Sequence, residues 1–186
     1  MRRLFIALPV EQDKTLLEPA NRIFKKHPEE LKIVEPCNYH ITLKFLGNTD
    51  NERIKEIINA FQKIDTPAIS VPWTLKGIGA FPSEKKPSII WCGIETQTDI
   101  INNLFHYIEK FARQFGFKKE ERNFTPHLTL ARIRKKINIC EEIKTFIVQN
   151  NQTIYGSHQF NRIELYESTL TSQGAVYSII ETNTFA

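Results

Sequence analysis

Two short segments of the chain repeat one pattern of chemically useful residues: His40-Ile41-Thr42-Leu43 in the first half and His127-Leu128-Thr129-Leu130 in the second. On an extended strand, residues two apart face the same side. Each segment therefore turns an imidazole and a hydroxyl to one face and two aliphatic side chains to the other. Cleaving a phosphodiester takes a base for the attacking oxygen, an acid for the departing one, and donors for the non-bridging oxygens. His40 and His127 can supply the acid–base pair. The hydroxyls of Thr42 and Thr129 can hold the phosphoryl oxygens. A single histidine of this kind reads as a half-buried strand residue satisfied by local hydrogen bonds. Its repetition, with the threonine, at matching places in two halves points to chemistry. Because an unperturbed imidazole titrates near pH 6.5, such a pair predicts a bell-shaped rate profile about that value.

The remaining candidates are weaker. His27 follows Lys25-Lys26 at a helix end, His106 lies off the apolar stripe of its helix, and His158 sits beside Gly156-Ser157, which reads as a turn. All three are expected at the surface. Cys37, three residues before His40, is a thiol where a strand is only beginning and is a poor nucleophile candidate. Cys37, Cys92 and Cys140 are widely spaced, with no C-x-x-C pair, and read as reduced structural cysteines. No Asp or Glu accompanies either motif, so neither a metal nor a cofactor is expected at the site.

Two similar sets of elements must position these motifs. Residues 3–9 read as a buried strand, and Leu16, Leu17, Ala20, Ile23 and Phe24 recur at helical spacing between Glu11 and Lys26. Tyr39 to Leu46 alternates as a strand. Thr49-x-x-Glu52 reads as a capping box opening a helix with Ile54, Ile57, Ile58 and Phe61 inside, and a strand follows near Ser70 to Ile78. The second half repeats this order. Strand Ser88 to Ile94 precedes a helix from Asp99 to Phe115, ended by Gly116, and then a strand from His127 to Ile133. Asn138-x-x-Glu141 opens another helix, and strands near Phe160 to Glu167 and Ala175 to Glu181 close the chain. No Gly/Ser linker divides the halves, so 1–186 reads as one domain of two interleaved lobes, an internal duplication of roughly 1–80 and 87–186. Equivalent strands then face each other across a cleft.

Composition excludes several classes. With 186 residues, 41% hydrophobic and 25% charged, and only 7 Gly and 9 Pro, the chain is neither disordered nor of low complexity. The apolar run Leu4 to Leu8 is shorter than a signal-peptide core, and no stretch approaches membrane-spanning length, so a cytoplasmic protein without membrane association is expected. A net charge of +4 favours a phosphate-bearing partner but falls short of a duplex-DNA binder.

The two His-x-Thr-hydrophobic motifs resemble those of the two-histidine (2H) phosphoesterases, and within them the RNA 2′,3′-cyclic phosphodiesterases, also known as 2′-5′ RNA ligases. The likeness runs from Arg3-Leu4-Phe5-Ile6-Ala7 through Asn38-Tyr39-His40 to Gly47, then Gly116-Phe117, Thr125-Pro126-His127 to Arg132, and Leu165-Tyr166-Glu167-Ser168. It implies an α+β fold of two pseudo-symmetric lobes, each an antiparallel-type sheet with helices packed outside and an active cleft between. The implied reaction opens a terminal 2′,3′-cyclic phosphate of RNA, or a small cyclic nucleotide, to a 2′-phosphomonoester; a monomer is expected, although the sequence does not fix the oligomeric state. The same resemblance implies that Phe45 and Arg132, each five residues beyond its motif histidine, sandwich the terminal base. Strict alternation opposes this, because an offset of five points away from the histidines unless a bulge intervenes. Val34 departs from the tryptophan common in relatives. Two rivals are a 2′-5′ RNA ligase, which mass action in water disfavours, and a non-catalytic RNA-end binder, against which the intact Thr42 and Thr129 argue.

Overall fold

The computed structural model describes residues 1–10, 17–64, 71–135, 137–171 and 174–185. Its elements in chain order are β1 (Arg2–Pro9), α1 (Glu18–Phe24), β2 (Leu31–Ile33), β3 (His40–Thr49), α2 (Asn51–Phe61), β4 (Val71–Phe81), β5 (Ile89–Glu95), α3 (Ile100–Gln114), β6 (His127–Ile133), α4 (Glu141–Gln149), β7 (Ile154–Phe160), β8 (Arg162–Leu170) and β9 (Ala175–Thr184). The strands form two antiparallel sheets, β3-β1-β8-β9 and β2-β6-β5-β4-β7.

Neither sheet is built from one half of the chain. β8 and β9 complete the sheet begun by β1 and β3, while β2 and β4 join the strands of the second half. Helices cross over in the same way. α2 and α3 meet through Phe61 and Phe111, ring centroids 6.3 Å apart, and pack against β9 and β3; α1 and α4 meet through Phe24 and Phe146 at 5.7 Å and pack against β2 and β4. Burying Ile54, Ile57 and Phe61 of α2 contributes on the order of 1.5–3 kcal/mol each. Leu4 to Leu8 of β1 are all buried, and Phe5 is covered by the rings of His40, Tyr166 and Tyr177, which explains an apolar run without alternation. The fold is the expected α+β arrangement of two sheets with helices outside.

Several local expectations are corrected. Asp50, not Thr49, caps α2: its carboxylate accepts the Arg53 N–H at 2.9 Å, whereas Thr49 ends β3 and donates to the Gly47 carbonyl. α4 starts at Glu141 with Cys140 at its N-cap, leaving Asn138 outside. Residues 154–160 are not a turn but strand β7. Gly156 opposes Leu75, and as an edge strand β7 needs little apolar patterning. β2 is too short for periodicity to register. Leu16, Ser70 and Lys136, with the start of the helix expected from Glu11, lie outside the described residues. No described helix is long and apolar enough to cross a membrane.

Candidate active site

His40 opens β3 and His127 opens β6, and these two strands approach each other from different sheets. Ile41, Leu43, Leu128 and Leu130 are buried, as alternation requires. His40, Thr42, His127 and Thr129 turn the other way and line one cavity of about 370 Å³. The four motif residues that the sequence singled out are thus brought together.

Phe45 and Arg132 line the same cavity, against the alternation argument. The ladder shows why. On β3, Ala7 pairs with Thr42 and Ile6 with Lys44, so Leu43 is an extra residue; on β6, Trp91 pairs with Thr129 and Ile90 with Ala131, so Leu130 is extra. Each strand has a bulge three residues after its histidine. The bulge reverses the facing of the residues beyond it. Lys44 and Ala131 become the second of two consecutive buried residues, and Phe45, 59% exposed, and Arg132 swing to the histidine face. On the β3 side the bulge is fixed by a buried ion pair. Lys44 Nζ lies 2.6 Å from Glu109 Oε1 on α3, with both side chains 6% exposed, and donates to the Lys118 carbonyl at 2.7 Å.

The two histidines are held alike. Nδ1 of His40 lies 2.7 Å from the Asn38 carbonyl, and Nδ1 of His127 lies 2.7 Å from the Thr125 carbonyl. A carbonyl can only accept, so Nδ1 carries the proton in the neutral ring and Nε2 is the nitrogen available to a substrate. Each imidazole also rests on aromatic rings. Phe5 and Tyr177 lie 4.9 and 5.2 Å from His40, and Phe81 and Trp91 lie 5.0 and 6.2 Å from His127.

This setting moves both titrations below the ordinary imidazole value, and the expected rate profile shifts to the acid side of pH 6.5 with them. Burial pushes His40 down to about 4, opposed by the Asn38 carbonyl and reinforced by Arg132 and His127. Burial also lowers His127, with the Arg132 guanidinium adding to it and the Thr125 carbonyl opposing.

Tyr177 on β9, Ser168 on β8 and Arg3 on β1 also line the cavity. Sequence reasoning missed Tyr177 and Arg3: only the strand exchange between halves carries Tyr177 there, and Arg3 arrives through the pairing of β1 with β3. Val34 lines it as well, so the departure from the family pattern falls inside the cleft. Cys37 is exposed and lines an adjoining cavity of about 810 Å³ that shares the His40 wall. His106 and His158 are exposed, as expected, whereas His27 is half-buried and paired with Glu30 and Glu142. Among the described residues, no group of three metal-ligating side chains lies in the cleft.

The model of the family described as LigT like Phosphoesterase matches residues 6–91 and 94–177. The RNA 2′,3′-cyclic phosphodiesterase of Methanocaldococcus jannaschii is 34% identical over 180 residues, covering 96% of this chain and 98% of the relative. That of Aquifex aeolicus is 34% identical over 178 residues, covering 90% of each. Among solved structures, the TT0787 protein of Thermus thermophilus superimposes with a TM-score of 0.78 at 21% identity over 98% of this chain and 97% of that one. E. coli LigT complexed with 3′-AMP gives 0.74 at 22% identity over 99% and 98%. Matched along nearly its whole length, with relatives a third identical from end to end, the chain belongs to the LigT-like phosphoesterase family.

Proposed function

We propose that the protein hydrolyses the 2′,3′-cyclic phosphate at an RNA terminus to a 2′-phosphomonoester, with small cyclic nucleotides as simpler substrates. His127 Nε2 takes a proton from water as the water oxygen bonds to phosphorus; the P–O3′ bond breaks and His40 gives its proton to O3′. The protons re-equilibrate with solvent between turnovers. Thr42 and Thr129 donate to the non-bridging oxygens, whose charge is held as the phosphorane forms. Arg132 and Phe45 flank the base by cation–π contact and stacking. The observation that supports this reading most is the pairing itself: two imidazoles, fixed alike through Nδ1, face one cavity with a threonine beside each. The identical bulges also support an origin of the two halves by duplication.

One observation favours exchanging the two histidine roles. Burial lowers His40 to about 4, and a neutral imidazole is the form a base requires. The direction proposed above rests on the family resemblance, and an anionic phosphate beside His40 restores its proton. The test is purified protein on an oligoribonucleotide bearing a 2′,3′-cyclic end, with the product isomer identified. A substrate whose 3′ leaving group needs no protonation should rescue His40→Ala and not His127→Ala. Rescue of His127→Ala alone reverses the roles, and an intact cyclic end rejects the activity.

A further inference from the structure

A second set of reactive side chains converges away from the cleft. His27 lies in the turn between α1 and β2, Glu30 three residues beyond it, and Cys140 at the N-cap of α4. Their ligand atoms all fall within 4.8 Å of one another, and none of the three residues lines either cavity. We propose that this cluster binds a zinc ion, with His27 Nδ1, Glu30 Oε1 and Cys140 Sγ as protein ligands and water in the fourth position.

Two of the three ligand separations match that ion, and the third, Glu30 Oε1 to Cys140 Sγ, is within 4.8 Å. Tetrahedral zinc with nitrogen and oxygen at about 2.0–2.2 Å and sulfur at about 2.3 Å separates its ligand atoms by about 3.3–3.6 Å. His27 Nδ1 lies 3.2 Å from Glu30 Oε1 and 3.6 Å from Cys140 Sγ. Because Sγ is also 3.8 Å from Nε2, it lies over the ring rather than along the Nδ1 lone pair, and closing on the metal requires the imidazole or the Cys140 side chain to rotate. A thiolate, an imidazole and a carboxylate suit zinc, whereas magnesium or calcium takes oxygen ligands.

Two of the three ligands, Glu30 and His27, are also oriented from behind. Glu30 Oε2 accepts the Cys140 N–H at 2.6 Å, leaving Oε1 for the metal. His27 Nε2 lies 2.9 Å from Glu142 Oε2, to which it donates when Nδ1 is on the metal, and Lys26 Nζ lies 3.2 Å from the other Glu142 oxygen. This is the carboxylate–histidine–metal arrangement that fixes the tautomer of a ligating histidine. His27 and Glu30 side chains are only 17% and 19% exposed, so the charge is partly withdrawn from water. Cys140 stands 113 residues from His27. A metal here closes a long loop and ties the α1–β2 turn to the start of α4.

The competing account is a plain ion-pair network of His27, Glu30, Glu142 and Lys26. Protein stripped of metal and titrated with Co²⁺ distinguishes the two. The proposal expects one equivalent to give thiolate-to-cobalt charge-transfer absorption, displaced by Zn²⁺. It further expects Zn²⁺ at a hundredfold excess over Kd to raise Tm by about 5–10 °C. Cys140→Ser should abolish the band, Glu30→Gln should weaken Zn²⁺ binding at least tenfold, and Cys37→Ser should change neither. Absence of the band in the wild type, its survival in Cys140→Ser, or its loss in Cys37→Ser overturns the site. The readouts are spectral and thermal and stand apart from the chemistry of the cleft.

Discussion

Raising the pH alone tests the acid–base reading of the cleft. The productive state carries one proton over two imidazoles, so the two limbs of kcat/KM belong to the pair rather than to either residue. With His40 at about 4 and His127 also below its ordinary value, both imidazoles are protonated in strong acid and no base remains; above the upper limb both are neutral and no acid remains. The whole bell then lies on the acid side of about pH 6.5, and kcat/KM falls about a hundredfold between pH 6.5 and 8.5. The cyclic phosphate of uridine 2′,3′-cyclic monophosphate stays ionised throughout and its base takes up no proton in this range, so both limbs report the enzyme. Initial rates at constant ionic strength measure them. The limb of kcat should lie above that of kcat/KM, because the bound anion favours the imidazolium. Arg132→Met should move both limbs upward, since its guanidinium lowers both histidines. A maximum of kcat/KM at or above pH 7 would refute the argument that burial depresses the pair.

Other outcomes rest on the same geometry. His40→Ala and His127→Ala should each cost about 10² to 10⁴ in kcat with unchanged melting, and the double variant should be scarcely worse. Thr42→Ala and Thr129→Ala should cost less, and Thr→Ser less again; steady-state rates decide the order. Lys44→Met should lose about 3–5 kcal/mol in urea denaturation, because it strands Glu109 as a buried charge. Adding Glu109→Leu should recover most of that loss. Acid should destabilise the protein through His40. Its folded value of about 4 lies below the unfolded value, so the unfolded chain binds more protons between the two, and stability is lost as pH falls through that window. The loss is about 2 kcal/mol at pH 5 and about 3 kcal/mol below pH 4, and His40→Gln should remove it from the pH dependence. Activity should persist in EDTA below the melting transition; full loss restored by a divalent ion would replace the mechanism with metal-assisted hydrolysis.

Apart from β2 and β7, the order of elements was legible from residue type and spacing, as were the two motifs. Strand period 2 put His40 with Thr42 and His127 with Thr129, and helical period marked Ile54, Ile57 and Phe61 as an inner face. These signals are local, so a linear chain carries them. Which strands share a sheet is a different matter. Nothing in the composition of residues 162–184 says that β8 and β9 return to β1, yet that pairing carries Ser168 and Tyr177 to the cleft. Phe45 and Arg132 make the contrast sharpest. Counting by twos sends them to the wrong face, and only the bulges at Leu43 and Leu130 bring them back. On β3 the residue beyond the bulge, Lys44, finds its counter-charge on α3, an element far along the chain. Local periodicity assigns a side chain to a face of its own strand; only long-range pairing and buried partners determine where that face turns and which other residues meet it.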